Sequence, residues 1–256
     1  MSKNILFLVT GMTPQILTET VWALACDPDN SEPWIPDEIH VVSTGQGLDQ
    51  IRARLFGEGH FLSMQKEYPQ LASIKFDEEG LHGITDENGL LLNDLKTPAD
   101  NELAANLICE KIRTFTEDKE ISLHVSIAGG RTTMGFYAGY ALSLYGRAQD
   151  SMSHVLVDER YESAKNFYYQ SKAQNVFDYN HKDLVIGPTA SAKVWLAQIP
   201  FVRMKEAIEE KHQLNRGESF SEVVEKINES YNETEIVLNV KESQLIVNNK
   251  FDFKLP

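Results

Sequence analysis

An apolar stretch that leads into two glycines, an arginine and two threonines is the feature of this sequence that most directly indicates chemistry. It spans residues 124–134. Glycines at the end of a strand let the backbone approach a ligand closely, and the first turn of a following helix has unpaired N–H groups that favour an anion. Arg131 adds a planar cation that can bind two phosphate oxygens, so the segment predicts a phosphate-binding turn. The expected contacts are Gly129, Gly130, Arg131, Thr132, Thr133 and Met134.

A second turn of the same kind lies near the N-terminus. Residues 5–9 read as a buried strand, and the Thr-Gly-Met-Thr-Pro-Gln sequence of residues 10–15 leads into a helix that reaches Ala25. Pro14 suits the first turn of that helix, and Thr13 is the predicted N-cap. The predicted ligand contacts of this turn are Thr10, Gly11, Met12, Thr13 and Gln15.

A third turn follows the next strand, at residues 44–47. Its Thr44, Gly45 and Gln46 are predicted to contact the sugar or base of a nucleotide, with a simple chain reversal as the alternative.

The elements that must position these turns alternate between strands and helices, which is typical of a parallel sheet covered on both faces. In such a sheet the loops at the carboxyl ends of the strands lie together, so the turns are expected to share one ligand space. The predicted strands are 4–9, 38–43, 72–77, 121–128 and 153–158, and the predicted helices are 14–25, 47–66, 100–116 and 131–147.

The connection 77–99 is acidic and rich in glycine, which is unlike a core element. It is either a surface excursion or a loop over the ligand, and the surface location is favoured because acidic loops rarely contact phosphates.

The character of the chain changes after residue 190. Two short strands, 166–169 and 183–186, precede this point; helical patterns at 198–213 and 219–231 and a β-meander at 235–240 and 244–255 follow it. This pattern predicts a first domain, 1–190, and a small C-terminal module, 191–256. The last segment resembles the strands that open a response-regulator type winged helix. The chain stops at Pro256, where the first helix of such a domain is expected, which is consistent with a truncated polypeptide.

The overall composition restricts the partners. The net charge of −14 opposes strong binding of long nucleic acids, although it permits a small nucleotide at a local site. No segment reads as a signal peptide or a membrane span, so a cytoplasmic protein without membrane contact is expected.

Cys26 and Cys109 fall in apolar helical patterns and are predicted to be buried free thiols.

Both turns together resemble the CRISPR-associated Rossmann-fold (CARF) proteins, and most closely the CRISPR-associated ring nucleases of the NE0113 type. The matching segments are 8–24, 41–47, 126–135 and 153–157, and the resemblance covers residues 1 to about 190. A Gly-Gly-Arg-Thr sequence alone is common, whereas Thr-Gly-x-Thr-Pro-Gln followed by Gly-Gly-Arg-Thr-Thr-Met is fairly specific. The expected fold class is therefore α/β, with a Rossmann-like, mostly parallel sheet and a small C-terminal α+β module.

The resemblance implies a homodimer with a two-fold symmetric pocket for cyclic oligoadenylate, the second messenger of type III CRISPR defence. A ring of four adenylates suits such a site, because each protomer reads half of it. Ring nucleases of this type use no metal or other cofactor: a ribose 2′-hydroxyl attacks the adjacent phosphodiester and leaves a 2′,3′-cyclic phosphate. The seven histidines show no metal-binding spacing, in agreement with that chemistry.

The predicted catalytic residues are Arg131, Thr132 and Thr13. Arg131 and the N–H groups of residues 130–132 would stabilise developing charge, and the hydroxyls of Thr10, Thr13 and Thr132 and the amide of Gln15 would orient ribose or phosphate. Structural alternatives remain: Thr13 as an N-cap only, and Gln15 as a hydrogen-bonding group of the helix start only.

His124 and His154 lie in apolar strands and are predicted to be core histidines. Arg54 and His60 have the spacing of an effector-nuclease motif, but they lie inside the sensor domain and are interpreted as coincidence.

Two other functions are compatible with these residues. The first is a sensor that binds the ring without cleaving it and controls a winged-helix tail. The second is an unrelated nucleotide-using enzyme with a Rossmann fold, which the absence of Gly-x-Gly-x-x-Gly in the first turn argues against.

Overall fold

The computed structural model describes residues 2–162, 164, 166–174, 177–179, 182–209, 217–229, 236–239, 244–247 and 251–254. The chain divides into two compact units, Met1–Ile208 and Glu209–Pro256. The first unit therefore extends past residue 190 and includes a strand that the sequence analysis assigned to the C-terminal module. No helix among the described residues is both long enough and apolar enough to cross a bilayer.

The first unit alternates strands and helices, as predicted. Its strands are β1 Lys3–Val9, β2 Glu38–Ser43, β3 Leu81–Gly83, β4 Ile121–Ser126, β5 Ser151–Val157, β6 Phe177–Tyr179, β7 Val185–Pro188 and β8 Val194–Gln198. Its helices are α1 Gln15–Ala25, α2 Gly45–Gln50, α3 His60–Glu67, α4 Pro98–Glu117, α5 Thr132–Tyr145 and α6 Glu159–Glu162, and α7 Lys205–Glu209 lies at its boundary. A π-helical segment, Ile51–Gly57, continues α2, and 3₁₀ turns occupy Pro69–Leu71, Glu78–Gly80 and Thr189–Ser191.

The central sheet has the strand order β3-β2-β1-β4-β5-β8. All neighbours are parallel except β8, which pairs antiparallel to β5. After β1 the chain moves outward to β2 and β3, and it then returns to place β4 on the other side of β1. The α/β, mostly parallel sheet is thus confirmed, and its topological switch point lies between the carboxyl ends of β1 and β4, where open sheets of this kind bind ligands.

Helices cover both faces of the sheet because the side chains of β1 alternate between them. Leu6 and Leu8 belong to the buried cluster that includes Leu17 and Val21 of α1. On the other face the ring of Phe7 meets that of Phe115 in α4, with centroids 6.3 Å apart. The strands that carry the predicted turns are thus held by apolar packing from both sides.

Two predicted elements between β2 and α4 are wrong in detail. The helix predicted at 47–66 is interrupted at Gly59, which has a left-handed backbone with φ 75°. The strand predicted at 72–77 is reduced to a single bridge between Lys75 and Glu38. Asp77 then accepts a hydrogen bond from the N–H of Glu79 and starts a 3₁₀ turn, so the edge of the sheet is completed by β3 instead.

Later predictions also shift. No strand forms at residues 166–169, whose Phe167 and Tyr168 are buried in irregular chain. The strand predicted at 183–186 is β7, which pairs with β6. In the range predicted as helix 198–213, residue 198 ends β8 and the described helix is α7, while residues 210–216 lie outside the described residues.

The second unit contains α8, Phe220–Glu229, and the strands β9 Ile236–Asn239, β10 Gln244–Val247 and β11 Phe251–Lys254. The strands form an antiparallel sheet in the order β11-β10-β9, so the predicted β-meander is confirmed. The residues that join β10 to β11, 248–250, lie outside the described residues.

Candidate ligand-binding site

The turns after β1 and β4 touch each other at the switch point. A Cβ atom added to Gly11 would lie 3.3 Å from the Cα of Gly130, and one added to Gly129 would lie 3.0 Å from the carbonyl oxygen of Val9. Contacts this close between two backbones leave little room for a side chain at either glycine. The structure therefore brings the two predicted glycine turns together.

The turn after β4 offers donors for an anion. Gly130 has φ 78°, a left-handed conformation that favours glycine. The backbone N–H groups of Gly130 and Arg131 have no acceptor among the residues that the structure describes. Thr132 begins α5, so its N–H lacks an intrahelical partner. Three consecutive N–H groups at the start of α5 are thus available to an anion such as phosphate.

The guanidinium group of Arg131 lies beside this turn and is bound by an acid from a distant segment. Its Nε donates to Oδ1 of Asp94 at 3.1 Å, and its Nη2 donates to the other carboxylate oxygen. Hydrogen bonds from Arg131 and from the N–H of Leu95 lower the pKa of Asp94, so the carboxylate is ionised at neutral pH. The Arg131 side chain is still 58% exposed, and a bidentate oxyanion already occupies it.

The segment that carries Asp94 belongs to the acidic connection 77–99, for which a surface location was favoured over a loop across the ligand. Instead, its part around Leu91 and Leu92 covers the third turn. The N–H of Gly45 donates to the carbonyl of Leu92 at 2.7 Å, and a Cβ on Gly45 would lie 3.1 Å from Cδ2 of Leu91. Much of the connection is exposed, as predicted, and its Asp94 also pairs with Arg131 of the turn after β4.

In the third turn, fewer of the predicted residues are accessible to a ligand than the sequence indicated. Thr44 is 8% exposed and Gly45 is covered, whereas Gln46 is exposed. Gly47 fits tightly, because a Cβ there would lie 2.0 Å from Oγ of Ser43. That hydroxyl donates to the carbonyl of Thr10 at 2.8 Å, so the third turn supports the first.

The start of α1 differs from its prediction. The capping residue is Pro14, with no hydrogen bond from a side chain, so Thr13 is not the N-cap. Thr13 is exposed and, with Gln15, lines a cavity of about 190 Å³ beside β5. The Oε1 atom of Gln15 is buried and has no hydrogen-bond partner among the described residues. Thr13 is therefore not explained as an N-cap, and Gln15 is not explained as a hydrogen-bonding group of the helix start.

The remaining predicted contacts differ in access. Met12 is 56% exposed and Thr132 is also exposed. The Thr133 hydroxyl donates to Oδ1 of Asn101 at 2.6 Å. Thr10 is fully buried, with an unpartnered hydroxyl, and Met134 packs beneath Gly130. The last two side chains support the turns from below.

The two histidines predicted to be core residues have different environments. His124 is 2% exposed, and its ring nitrogens lie 2.7 Å from the hydroxyls of Ser151 and Ser153. Burial lowers its pKa to about 4, so it is a neutral core residue, as predicted. His154 is only partly buried and lines the cavity near Gln15, so its prediction as a core histidine was wrong.

The sequence analysis missed two acids at this site. Asp94 lacked any local signal, because its partner Arg131 is distant in the chain. Glu19 had a signal that was overlooked: it is an acid within the apolar α1 helix, four residues after Gln15. Within the described parts of the chain, no group of three or more histidine, cysteine, aspartate or glutamate residues is arranged to hold a metal ion.

The chain was compared with protein families and with curated proteins. A protein-family model described as CRISPR-associated protein NE0113 matches residues 13–233, which include the turns after β2 and β4, the cavity and the last three residues of the first turn. No curated protein matches the chain.

Proposed function

This chain belongs to the NE0113 family of CRISPR-associated proteins, and from that premise we propose that it is a ring nuclease of type III CRISPR defence. It would bind cyclic oligoadenylate, with cyclic tetra-adenylate as the preferred ring, and cleave it to linear products. The observation that carries this proposal is the convergence of the two glycine turns and Arg131 at the switch point of the sheet. The unpaired N–H groups there suit a phosphodiester.

The proposed reaction needs positioning and charge stabilisation. The ribose 2′-oxygen forms a bond to the adjacent phosphorus while the bond from phosphorus to the 5′-oxygen breaks. The 2′-hydroxyl gives up its proton to solvent, and the departing 5′-oxygen takes one up. The products are a 2′,3′-cyclic phosphate and a 5′-hydroxyl. Arg131 and the N–H groups of Gly130 and Thr132 would stabilise the charge that develops on the phosphorane oxygens.

Orientation would come from the first turn. Thr13 and Thr132 are exposed hydroxyl-bearing residues on the two turns that meet at the switch point. We propose that they hold the ribose and the phosphate so that the 2′-oxygen lies in line with the leaving 5′-oxygen. Neither hydroxyl is a strong base, so turnover is expected to be slow.

The carboxylate of Asp94 occupies the position on Arg131 that a phosphate would take, so ligand binding must displace it. We expect Asp94→Asn to tighten binding of the ring by up to about fivefold, the usual strength of an exposed ion pair. Calorimetric titration with cyclic tetra-adenylate carrying 2′-O-methyl riboses, which lack the attacking hydroxyl, would measure this. Glu58→Gln, which removes an exposed ion pair with Arg54, serves as the control and should leave affinity unchanged. Weaker binding by Asp94→Asn would mean that Asp94 holds Arg131 in place for the ligand.

We further propose that the protein acts as a homodimer in which two copies of the site face one ring. The exposed face of α5, which starts at the phosphate turn, supports this. Phe136 on this helix is 64% exposed and stacks on Tyr140, with ring centroids 5.9 Å apart. An exposed phenylalanine that stacks on a partly buried tyrosine next to the site is typical of an interface between subunits.

Replacing Phe136 with glutamate should therefore dissociate the dimer. We expect the dissociation constant to rise about 30-fold or more, the effect of losing a central aromatic contact. Light scattering across a concentration series would measure it. Phe177→Glu is the matched control, because Phe177 is 50% exposed on β6, outside the proposed interface. Equal dimerisation of Phe136→Glu and the unchanged protein would contradict this interface.

The proposed activity is tested by incubating the protein with excess cyclic tetra-adenylate in EDTA and resolving the products over time. Linear products that end in 2′,3′-cyclic phosphate are expected, and the 2′-O-methyl ring should remain intact. If neither ring binds, the proposed function is wrong.

The second candidate function is a sensor that binds the ring without cleaving it. The observation that favours it is the separate compact unit of residues 209–256, whose β-meander is consistent with the start of a regulatory domain. An intact ring that co-elutes with the protein would support this function. In either case, the net charge of −14 argues against strong binding of long nucleic acids.

A further inference from the structure

The cavity between the start of α1 and β5 contains a buried acid for which the reaction above has no use. Glu19 is 9% exposed and lines the cavity, and no described residue forms a hydrogen bond or an ion pair with its carboxyl group. An unpaired polar group at this depth is costly unless a ligand satisfies it. The carboxyl group of Glu19 is therefore available to a hydrogen-bonding ligand that enters the cavity.

We propose that this cavity is a pocket for one adenine base of the ligand, recognised by Glu19 together with Gln15. The inference rests on the proposed function, because it assigns a subsite to the cyclic oligoadenylate.

The size and the walls of the cavity suit a single flat base. Its volume of about 190 Å³ corresponds to about six water molecules at ~30 Å³ each. Apolar side chains form much of the lining, among them Val155 and Val157 of β5, Ala164 and Phe167. Such walls favour an aromatic ring over a phosphate or a sugar.

The protonation of Glu19 gives it two hydrogen-bonding functions. Burial raises its pKa to about 8, so the group is mostly a neutral carboxylic acid at pH 7. A protonated carboxyl group has one O–H donor and a carbonyl acceptor. The titratable groups that share the cavity are His154 of β5 and Tyr161 and Glu162 of α6. β8, which also packs against α1, has no titratable side chain.

Gln15 adds a second acceptor on the same face of α1. It precedes Glu19 by four residues, a spacing that makes two side chains neighbours on a helix. Its Oε1 atom is buried without a hydrogen-bond partner among the described residues. Gln15 also carries an NH₂ group, so the two side chains together offer acceptors and donors on one helix face.

This set matches the amino edge of adenine. The exocyclic amine has two hydrogens, one for Oε1 of Gln15 and one for the carbonyl oxygen of Glu19, and the adjacent ring nitrogen accepts the carboxyl O–H. Hypoxanthine carries an oxygen in place of the amine and would leave one of the acceptors unsatisfied. Thr13 lines the same cavity and belongs to the turn whose Gly11 touches Gly130, so one turn borders both the pocket and the proposed phosphate site.

The test compares rings of adenosine and inosine carrying 2′-O-methyl riboses, titrated into the unchanged protein, Glu19→Leu and Glu19→Gln. We expect the unchanged protein to prefer the adenosine ring at least tenfold at pH 7. Glu19→Leu should bind the adenosine ring at least tenfold more weakly, whereas Glu19→Gln, which keeps a donor and an acceptor, should bind it as the unchanged protein does. At pH 9 the unchanged protein should bind the adenosine ring more weakly, because the ionised acid has no donor, while Glu19→Gln should not change.

The controls separate this inference from the proposed function. Glu159→Leu removes an exposed acid of α6 and should bind as the unchanged protein does, and thermal melting verifies that each variant folds. If Glu19→Leu binds the adenosine ring with unaltered affinity and preference, the pocket is wrong and the ring nuclease stands. If no ring binds, the proposed function is wrong, and saturation-transfer NMR with free adenosine and inosine tests the pocket alone. A signal for adenosine that Glu19→Leu abolishes would support the pocket, and no difference between the variants would overturn it.

Discussion

Arg131→Ala is expected to abolish detectable cleavage of cyclic tetra-adenylate and to weaken its binding strongly. Removal of one donor that stabilises transition-state charge commonly lowers a rate by about 10²–10³-fold. Arg131 is the one cation on the two turns that meet at the switch point, and its guanidinium already holds an oxyanion in two hydrogen bonds. Single-turnover measurement of product formation gives the rate, and calorimetric titration with the 2′-O-methyl ring gives the affinity.

Two further variants show whether the geometry of Arg131 matters or only its charge. Arg131→Lys keeps the charge but loses the planar pair of donors, so we expect partial binding and little cleavage. Arg54→Ala removes an exposed arginine that pairs with Glu58 at 2.7 Å, and it should leave both quantities unchanged. Cleavage by Arg131→Ala at the rate of the unchanged protein would show that another group stabilises the phosphorane.

Asp150→Ala is expected to lower the free energy of unfolding by about 3–5 kcal/mol, because it leaves a buried arginine without its counter-ion. The Asp150 side chain is 0% exposed and lies between α5 and β5. It accepts hydrogen bonds from the N–H of Leu123 at 3.0 Å and from the N–H, Nε and Nη2 of Arg147 at 2.7 to 2.9 Å. Arg147 in turn donates to the carbonyl of Ile121 at 2.8 Å, so the pair ties β4 to the chain that enters β5.

Urea unfolding followed by circular dichroism would measure this loss. Asp158→Ala is the matched control: it also removes a carboxylate paired with an arginine, but Arg160 is 62% exposed, so we expect a loss of only about 1 kcal/mol, from the backbone N–H of Arg160 that Asp158 accepts. Asp150→Asn keeps the shape and some of the acceptors, and its stability should lie between those of the unchanged protein and Asp150→Ala. Equal stability of Asp150→Ala and Asp158→Ala would contradict the structural role of this pair.

Elements with a strong local pattern could be predicted from the sequence. The apolar run of β1, the start of α1 near Pro14 and the paired glycines after β4 each have a local cause: burial on both faces, a fixed φ, or a positive φ. The strand at 72–77 failed because alternation of side chains does not determine which segment completes an edge. Asp77 instead starts a 3₁₀ turn, and β3 forms most of the pairing with the outer side of β2.

The sequence by itself therefore determined the alternation of strands and helices around β1, β2, β4 and β5, the two glycine turns, and the residue types available to bind an anion. These depend on backbone conformation and on the period of apolar residues, which act over a few positions. Only the tertiary structure decided that Asp94 binds Arg131, that the acidic connection borders the site, and that Glu19 lies unpaired in a cavity with Gln15. The ion pair of Asp94 with Arg131 joins two distant segments of the chain, and the burial of Glu19 depends on several elements that pack around it. The local spacing of residues determines neither.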